Sequence, residues 1–292
     1  MTKRFPFRRV ANYLAEYGKC FQRRDQIRWA AVYIHGLLSS LVRKNIENIA
    51  ARADLPSAWG VLDANQALQN FIHQSPWDEN LLWRRQRTRL AGRIGRDDGL
   101  FVIQEVPFVK QGRHSVGVHR QFSIALGQKI NCQLAVAIHY VSTAGHAPLA
   151  LRLYLPKNWI QSPARLDAGA VPNSFRRSIA KLQLALELLD QVRAESFPGR
   201  YVAAPGFTVP EEIRAALAER GYCIFETEMS DQEQGPANAG AISLRKYLHQ
   251  AKYDLEWMRN RLGLDHFEGR SWRGFHHHAC LVALAFAYKK VG

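Results

Sequence analysis

Between Asp25 and Val42 the apolar residues Ile27, Ala31, Ile34, Leu38 and Leu41 recur every three or four positions. That spacing predicts a helix, with Trp29, Tyr33 and Leu37 widening its stripe and Asp25 placed to cap its start. A second helical pattern, Ile46, Ile49 and Ala50, is broken by Pro56 and Gly60. A third runs from Asp63 to His73, with Leu62, Ala67, Leu68 and Phe71 as its apolar positions. Ser75-Pro-Trp-Asp78 then reads as a turn, with Asp78 placed to cap a further helix.

From Gly99 the period changes. Leu100 to Ile103 is a short apolar run of the kind that forms a buried strand. Gln121-Phe122 opens a polar–apolar segment, and Gln133 to Val141 alternates and is rich in Val, Ile and Tyr. Pro148 to Leu155 repeats the strand signal, so an antiparallel meander is expected. Pro172-Asn-Ser174 is placed to start a long helix with Ile179, Leu182, Ala185, Leu186, Leu189 and Val192 on its apolar face. Tyr201 to Ala204 and Tyr222 to Phe225 read as strands. Between them Pro210-Glu-Glu212 opens a helix with proline in its first turn and acids at its positive end. The fold class expected is α/β: an RNase H-like mixed sheet flanked by helices, preceded by a helical N-terminal domain. The boundary falls between residues 1–97 and 98–292.

Charge adds a partner to this picture. The 292 residues carry 40 Lys and Arg against 25 Asp and Glu, a net charge of +15. Such an excess concentrates polyanions at the surface and points to nucleic acid, DNA first. The helix after Asp78 holds Arg84, Arg85, Arg87, Arg89, Arg93 and Arg96 with few acids between, a pattern suited to phosphate contacts. Its bland counterpart is a solvated basic face. Cys20, Cys132, Cys223 and Cys280 are too scattered for a zinc pair or a compact disulfide framework. No apolar signal core follows the basic N-terminus and no run is long enough to span a bilayer, so a cytoplasmic protein is expected.

The stretch from Leu262 to Ala279, Leu-Gly-Leu-Asp-His-Phe-Glu-Gly-Arg-Ser-Trp-Arg-Gly-Phe-His-His-His-Ala, resembles the C-terminal signature of bacterial insertion-sequence transposases of the DDE class. Lys110-Gln-Gly-Arg-His-Ser-Val-Gly-Val118, Arg120-Gln-Phe, Asn131-Cys-Gln, Arg152-Leu-Tyr-Leu-Pro156 and Gly169-Ala-Val-Pro172 are similar to successive landmarks of the same family. Tyr33-Ile-His-Gly, Arg43-Lys-Asn and Ser75-Pro-Trp-Asp78 match more weakly, in the right order. The resemblance implies an RNase H-like nuclease fold in which three carboxylates hold two divalent metals. It also implies nucleic-acid contacts at Arg43, Lys44, Lys110, Arg113, Arg120, Arg259, Arg270 and Arg273, beside the arginine-rich helix.

The three acid positions implied by the resemblance are Gln104, Ala204 and Lys252. An amide, a methyl group and an ammonium replace hard oxygen ligands. The lysine would repel a metal pair, or occupy the space of one ion. Glu105 keeps an acid one place along, but neighbours on a strand point to opposite faces. The family's strand-rich insertion is also reduced here, to the polar stretch from Ser230 to Ala241.

His276 to His278 cannot chelate one ion together, because consecutive helical residues point about 100° apart. They are expected to pack and cap. Asp265 and Glu268 are expected to pair with Arg270 or Arg273. The acidic run Glu226, Glu228, Asp231 and Glu233 reads as a solvated loop. The expectation is therefore a domesticated, catalytically inactive transposase-like protein that binds nucleic acid, with no cofactor, as a regulator, a homodimer or a subunit of a larger complex. Two alternatives stand beside it. One is a divergent Mg- or Mn-dependent endonuclease using Glu105, Asp254 or the acidic loop. The other is a protein-interaction scaffold.

Overall fold

The computed structural model describes residues 7–225 and 239–292. Its N-terminal helices are α1 (Phe7–Ala15), α2 (Arg24–Leu38), α3 (Ile46–Arg52), α4 (Ala64–His73) and α5 (Glu79–Ile94). Several starts are set by side chains that accept the otherwise unpaired first-turn N–H groups. Asn45, Asp63 and Asp78 cap α3, α4 and α5. Asp25 is not a cap: it lies inside the first turn of α2, beside the positive end of the helix.

Four strands follow, β1 (Leu100–Val109), β2 (His119–Ser123), β3 (Gln128–Ser142) and β4 (Gly145–Tyr154). Two short helices, α6 (Lys157–Ile160) and α7 (Pro163–Ala168), lead to α8 (Lys181–Ala194), β5 (Tyr201–Ala203), α9 (Glu211–Glu219) and β6 (Cys223–Ile224). The chain closes with α10 (Ala239–Leu262) and α11 (Trp272–Lys290). Glu226, Glu228, Asp231 and Glu233 lie outside the described residues, as does most of the stretch from Ser230 to Ala241. Its last residues, from Ala239, belong to α10 instead of a loop.

The sheet runs β2–β3–β1–β5–β6, and β4 pairs with the same edge of β3 as β2 does. β1 and β3 are antiparallel, whereas β1, β5 and β6 are parallel. This is the RNase H-like mixed sheet with helices on its faces. On one face Leu100, Val102, Val141 and Ala203 pack against Leu244 and Ala251 of α10. On the other, Phe101 packs edge-on to Phe197 and Tyr222, near the ends of α8 and α9.

Two boundaries differ from expectation. β1 continues to Val109, past the polar pair Gln104-Glu105 and Pro107. Beyond Val102 it has no parallel neighbour, because β5 pairs only with Leu100 to Val102. A proline without an N–H is tolerated at such an edge. The helix expected from Pro172 starts at Lys181, since residues 173–175 make only one tight turn.

The free edge of β4 is covered by α5, which is why that helix is not a solvated basic face. Arg87 is 4% exposed and Glu195 is 10% exposed. The Arg87 guanidinium grips the Glu195 carboxylate with two N–H groups and donates a third bond to the Leu149 carbonyl on β4, 3.0 Å away. Arg89 donates to Glu16 and to the Gly292 carbonyl, and Arg85 donates to the Glu16 carbonyl. Arg93 also reaches the C-terminal carbonyls. Arg87 is thus an internal strut and cannot reach a phosphate, contrary to the sequence expectation. Arg84, loosely paired with Glu195, stays largely exposed.

The C-terminal stretch is the axis of the packing. α10 ends at Gly263, whose φ of 67° is the left-handed conformation glycine adopts most easily. Leu264 N–H then bonds back to the Met258 carbonyl. Ser271 caps α11, which packs on β4 and on α2, α4 and α5. The histidine triplet is entirely buried and pinned as packing, in agreement with expectation. His276 Nδ1–H donates to the Trp272 carbonyl and its Nε2 accepts the Leu153 N–H. His278 Nδ1 accepts the Tyr33 hydroxyl while its Nε2–H points at the Gly263 and Leu264 carbonyls. His277 stacks on Trp77. No helix among the described residues is long and apolar enough to cross a membrane.

Candidate functional site

Parallel strands leave a crevice at their carboxyl ends, and ligand sites of α/β sheets lie there. Here β5 stops while β1 runs on, and α10 crosses the gap. The result is a cleft of about 570 Å³. Gln104 of β1 and Lys252 of α10 both line it, together with Pro205 and Gly206, the two residues after Ala204. Ala204 itself is nearly buried directly behind that turn. Two of the three positions assigned by resemblance, Gln104 and Lys252, therefore line one cleft, and Ala204 is the buried residue next to its Pro205-Gly206 wall.

Most of the wall is apolar, from Val102, Pro107, Ile124, Leu126, Leu248 and Leu255. Arg259 lies at one end, where it donates to the Pro107 carbonyl at 2.6 Å and sits over the Phe108 ring. Burial lowers its pKa. Lys252 is exposed and makes no ion pair among the described residues.

Glu105 is committed elsewhere. It too borders the cleft, but strand alternation turns its side chain away from that of Gln104 and its carboxylate is 2% exposed. Lys181, at the first residue of α8, pairs with one oxygen. The other accepts the Ser123 hydroxyl at 2.8 Å and the Ala125 N–H at 3.4 Å. Glu256 is the remaining acid on the wall, one turn along α10 from Lys252. A two-metal site needs several anionic oxygens at bonding distance of both ions. An amide, a methyl group and an ammonium do not fit that requirement.

The other expected contact residues divide by burial. Lys44 is buried with its ammonium on the Ser39 carbonyl, so it is not available as a surface cation. Lys110 donates to the Phe267 carbonyl at 2.6 Å. Glu268 pairs with Arg43, not with Arg270 or Arg273, because the turn after α10 faces the start of α3. Asp265 faces His266, and Arg273 donates to the Gln74 carbonyl. Arg113, Arg120 and Arg270 are exposed and their side chains make no ion pair among the described residues. The Val116 N–H to Arg270 carbonyl bond sets the Arg113 loop beside Arg270. Arg120, Phe122 and Lys129 share the exposed β2–β3 ribbon, with Phe122 directly opposite Lys129.

Sequence reading missed one cluster: His139 on β3, His146 on β4 and Asp254 on α10. His139 and His146 lie seven residues apart on paired strands, but Asp254 lies more than a hundred residues further on, so spacing alone does not announce the cluster.

A family model described as DDE superfamily endonuclease matches residues 16–232, and the chain belongs to that family. It is also similar to a probable transposase for insertion sequence element IS701 from Microchaete diplosiphon, with 32% identity over 174 residues. That match covers 59% of this chain and 40% of the relative's length.

Proposed function

We propose that this DDE-superfamily chain binds nucleic acid, most readily DNA, without cutting it, and acts as a regulator or as a subunit of a nucleoprotein assembly. The observation that carries the reading is the cleft itself. Gln104 and Lys252 on its wall, and Ala204 beside it, stand at the positions the family resemblance gives to acids, while the neighbouring Glu105 is paired with Lys181. The last point also weighs against the relocated-acid enzyme, because recruiting Glu105 to a metal would strip Lys181 of its buried partner. Retained charge supports binding. Arg113, Arg270, Arg120 and Lys129 offer exposed cations, and Phe122 offers a ring on which an unpaired base can stack. A cytoplasmic location belongs to the same reading, as do its four free cysteines.

Fluorescence anisotropy with labelled duplex and single-stranded DNA tests the binding. Affinity is expected to fall by about a thousandfold between about 50 and 200 mM salt if some six phosphates are neutralised. Arg120→Ala and Arg270→Ala are each expected to weaken binding and to flatten the salt slope by about one. Absence of binding to DNA and RNA at low salt, with a protein partner co-purifying instead, would favour the scaffold.

A further inference from the structure

His139, His146 and Asp254 form a constellation separate from the cleft. Asp254 is two residues from Lys252 on α10, which places the two side chains on nearly opposite sides of the helix. Lys252 faces the cleft, whereas Asp254 faces β3 and β4 and is fully buried. His139 is 1% exposed and His146 is 26% exposed. His139 Nε2 lies 2.8 Å from Asp254 Oδ2, and His146 Nδ1 lies 2.6 Å from the same oxygen. The second contact lacks the direction of a hydrogen bond, and His146 Nδ1 has no hydrogen-bond partner. Two imidazoles thus converge on one carboxylate oxygen that only one of them engages properly.

We infer that His139, His146 and Asp254 bind a divalent transition metal, zinc by the softness of the donor set. Two imidazoles and one carboxylate leave a fourth tetrahedral position for water. At zinc–ligand distances of about 2.0–2.2 Å the donors of a tetrahedral site stand about 3.3 Å apart, so a slight opening of the cluster seats the ion. All three donor atoms already lie within 4.8 Å of one another. Gln250 Nε2–H donates to Asp254 Oδ1 at 2.9 Å and fixes the carboxylate, as outer partners of metal ligands do. Phe286 packs its ring near both imidazoles and Trp257 packs on Phe286, closing the inner side. The partial exposure of His146 supplies the entry path. The metal would tie α10 to the β3–β4 hairpin, a structural role independent of strand cleavage and of the binding proposed above.

The test is metal content and thermal melting of the full chain. After loading with zinc sulfate and desalting, atomic emission is expected to read about one zinc per chain, and melting to shift upward by several degrees. Cobalt substitution is expected to give the visible bands of a tetrahedral ion. His146→Ala, at the exposed corner, is expected to fold and to lose at least tenfold in zinc affinity, with no zinc-dependent shift. Asp254→Asn is expected to behave alike. A wild-type chain that retains no zinc would overturn the inference and leave the cluster a hydrogen-bonded brace. Full zinc binding by a folded His146→Ala chain would overturn it equally.

Discussion

Arg87→Ala is expected to destabilise the fold by about 3–5 kcal/mol, the usual cost of removing one partner from a buried ion pair. Glu195 would keep only the exposed Arg84 at 3.6 Å, and the Leu149 carbonyl at the edge of β4 would lose its donor. Urea unfolding followed by circular dichroism measures the loss. The matched double substitution Arg87→Met with Glu195→Leu is expected to recover most of it, because removing both charges also removes their desolvation penalty. Arg85→Ala, on the exposed side of α5, is expected to cost under about 1 kcal/mol. Equal effects of Arg85→Ala and Arg87→Ala would show that Arg87 is not the strut described.

Acid is expected to unfold the protein well before its surface carboxylates are protonated. Burial lowers the His276 pKa from 6.5 to about 3 and that of His278 to about 4. Both are satisfied only as neutral rings: His276 must accept the Leu153 N–H and His278 must accept the Tyr33 hydroxyl. Unfolded, each takes up a proton near pH 6.5; folded, neither does until about pH 4 or below. The unfolded state binds more protons across that window, so stability rises with pH and is lost as pH falls from 6.5 towards 4. Each ring contributes up to about 1.4 kcal/mol per pH unit. His277 is driven down by burial too, but its two nitrogens face the Ile72 and Trp77 carbonyls, a setting that favours the charged form, so it is left out of this slope. Urea midpoints at pH 7.5, 6 and 5 check the slope. His278→Gln, although less stable at neutral pH, is expected to be less sensitive to pH. A midpoint constant over that range would exclude the mechanism.

Local physics made much of this molecule legible. Helical periodicity placed α4, periodicity with the Asp78 cap placed α5, and alternation placed β3 and β4, because each signal depends on residues within one or two turns. What depended on distant partners was misread. The arginines of α5 resembled a phosphate-binding row until Glu195, more than a hundred residues on, was seen to close over Arg87. Pro107 hid the end of β1, since only the early stop of β5 makes a proline acceptable there. Gln104, Ala204 and Lys252 were assigned through family likeness, and the meeting of Gln104 and Lys252 at one cleft depends on the sheet order and on where α10 crosses it. The cluster of His139, His146 and Asp254 depends on a partner more than a hundred residues on, which the seven-residue spacing of the two histidines does not reveal.

Incubation of the purified full chain with supercoiled and linear DNA in Mg²⁺ or Mn²⁺ tests the account at its centre. The expected result is intact DNA at every metal and protein concentration, with the DNA nevertheless bound at low salt. Metal-dependent nicking that disappears in Glu105→Ala or Glu256→Ala would contradict it and would mean that the cleft has rebuilt a metal site from acids outside the original three positions.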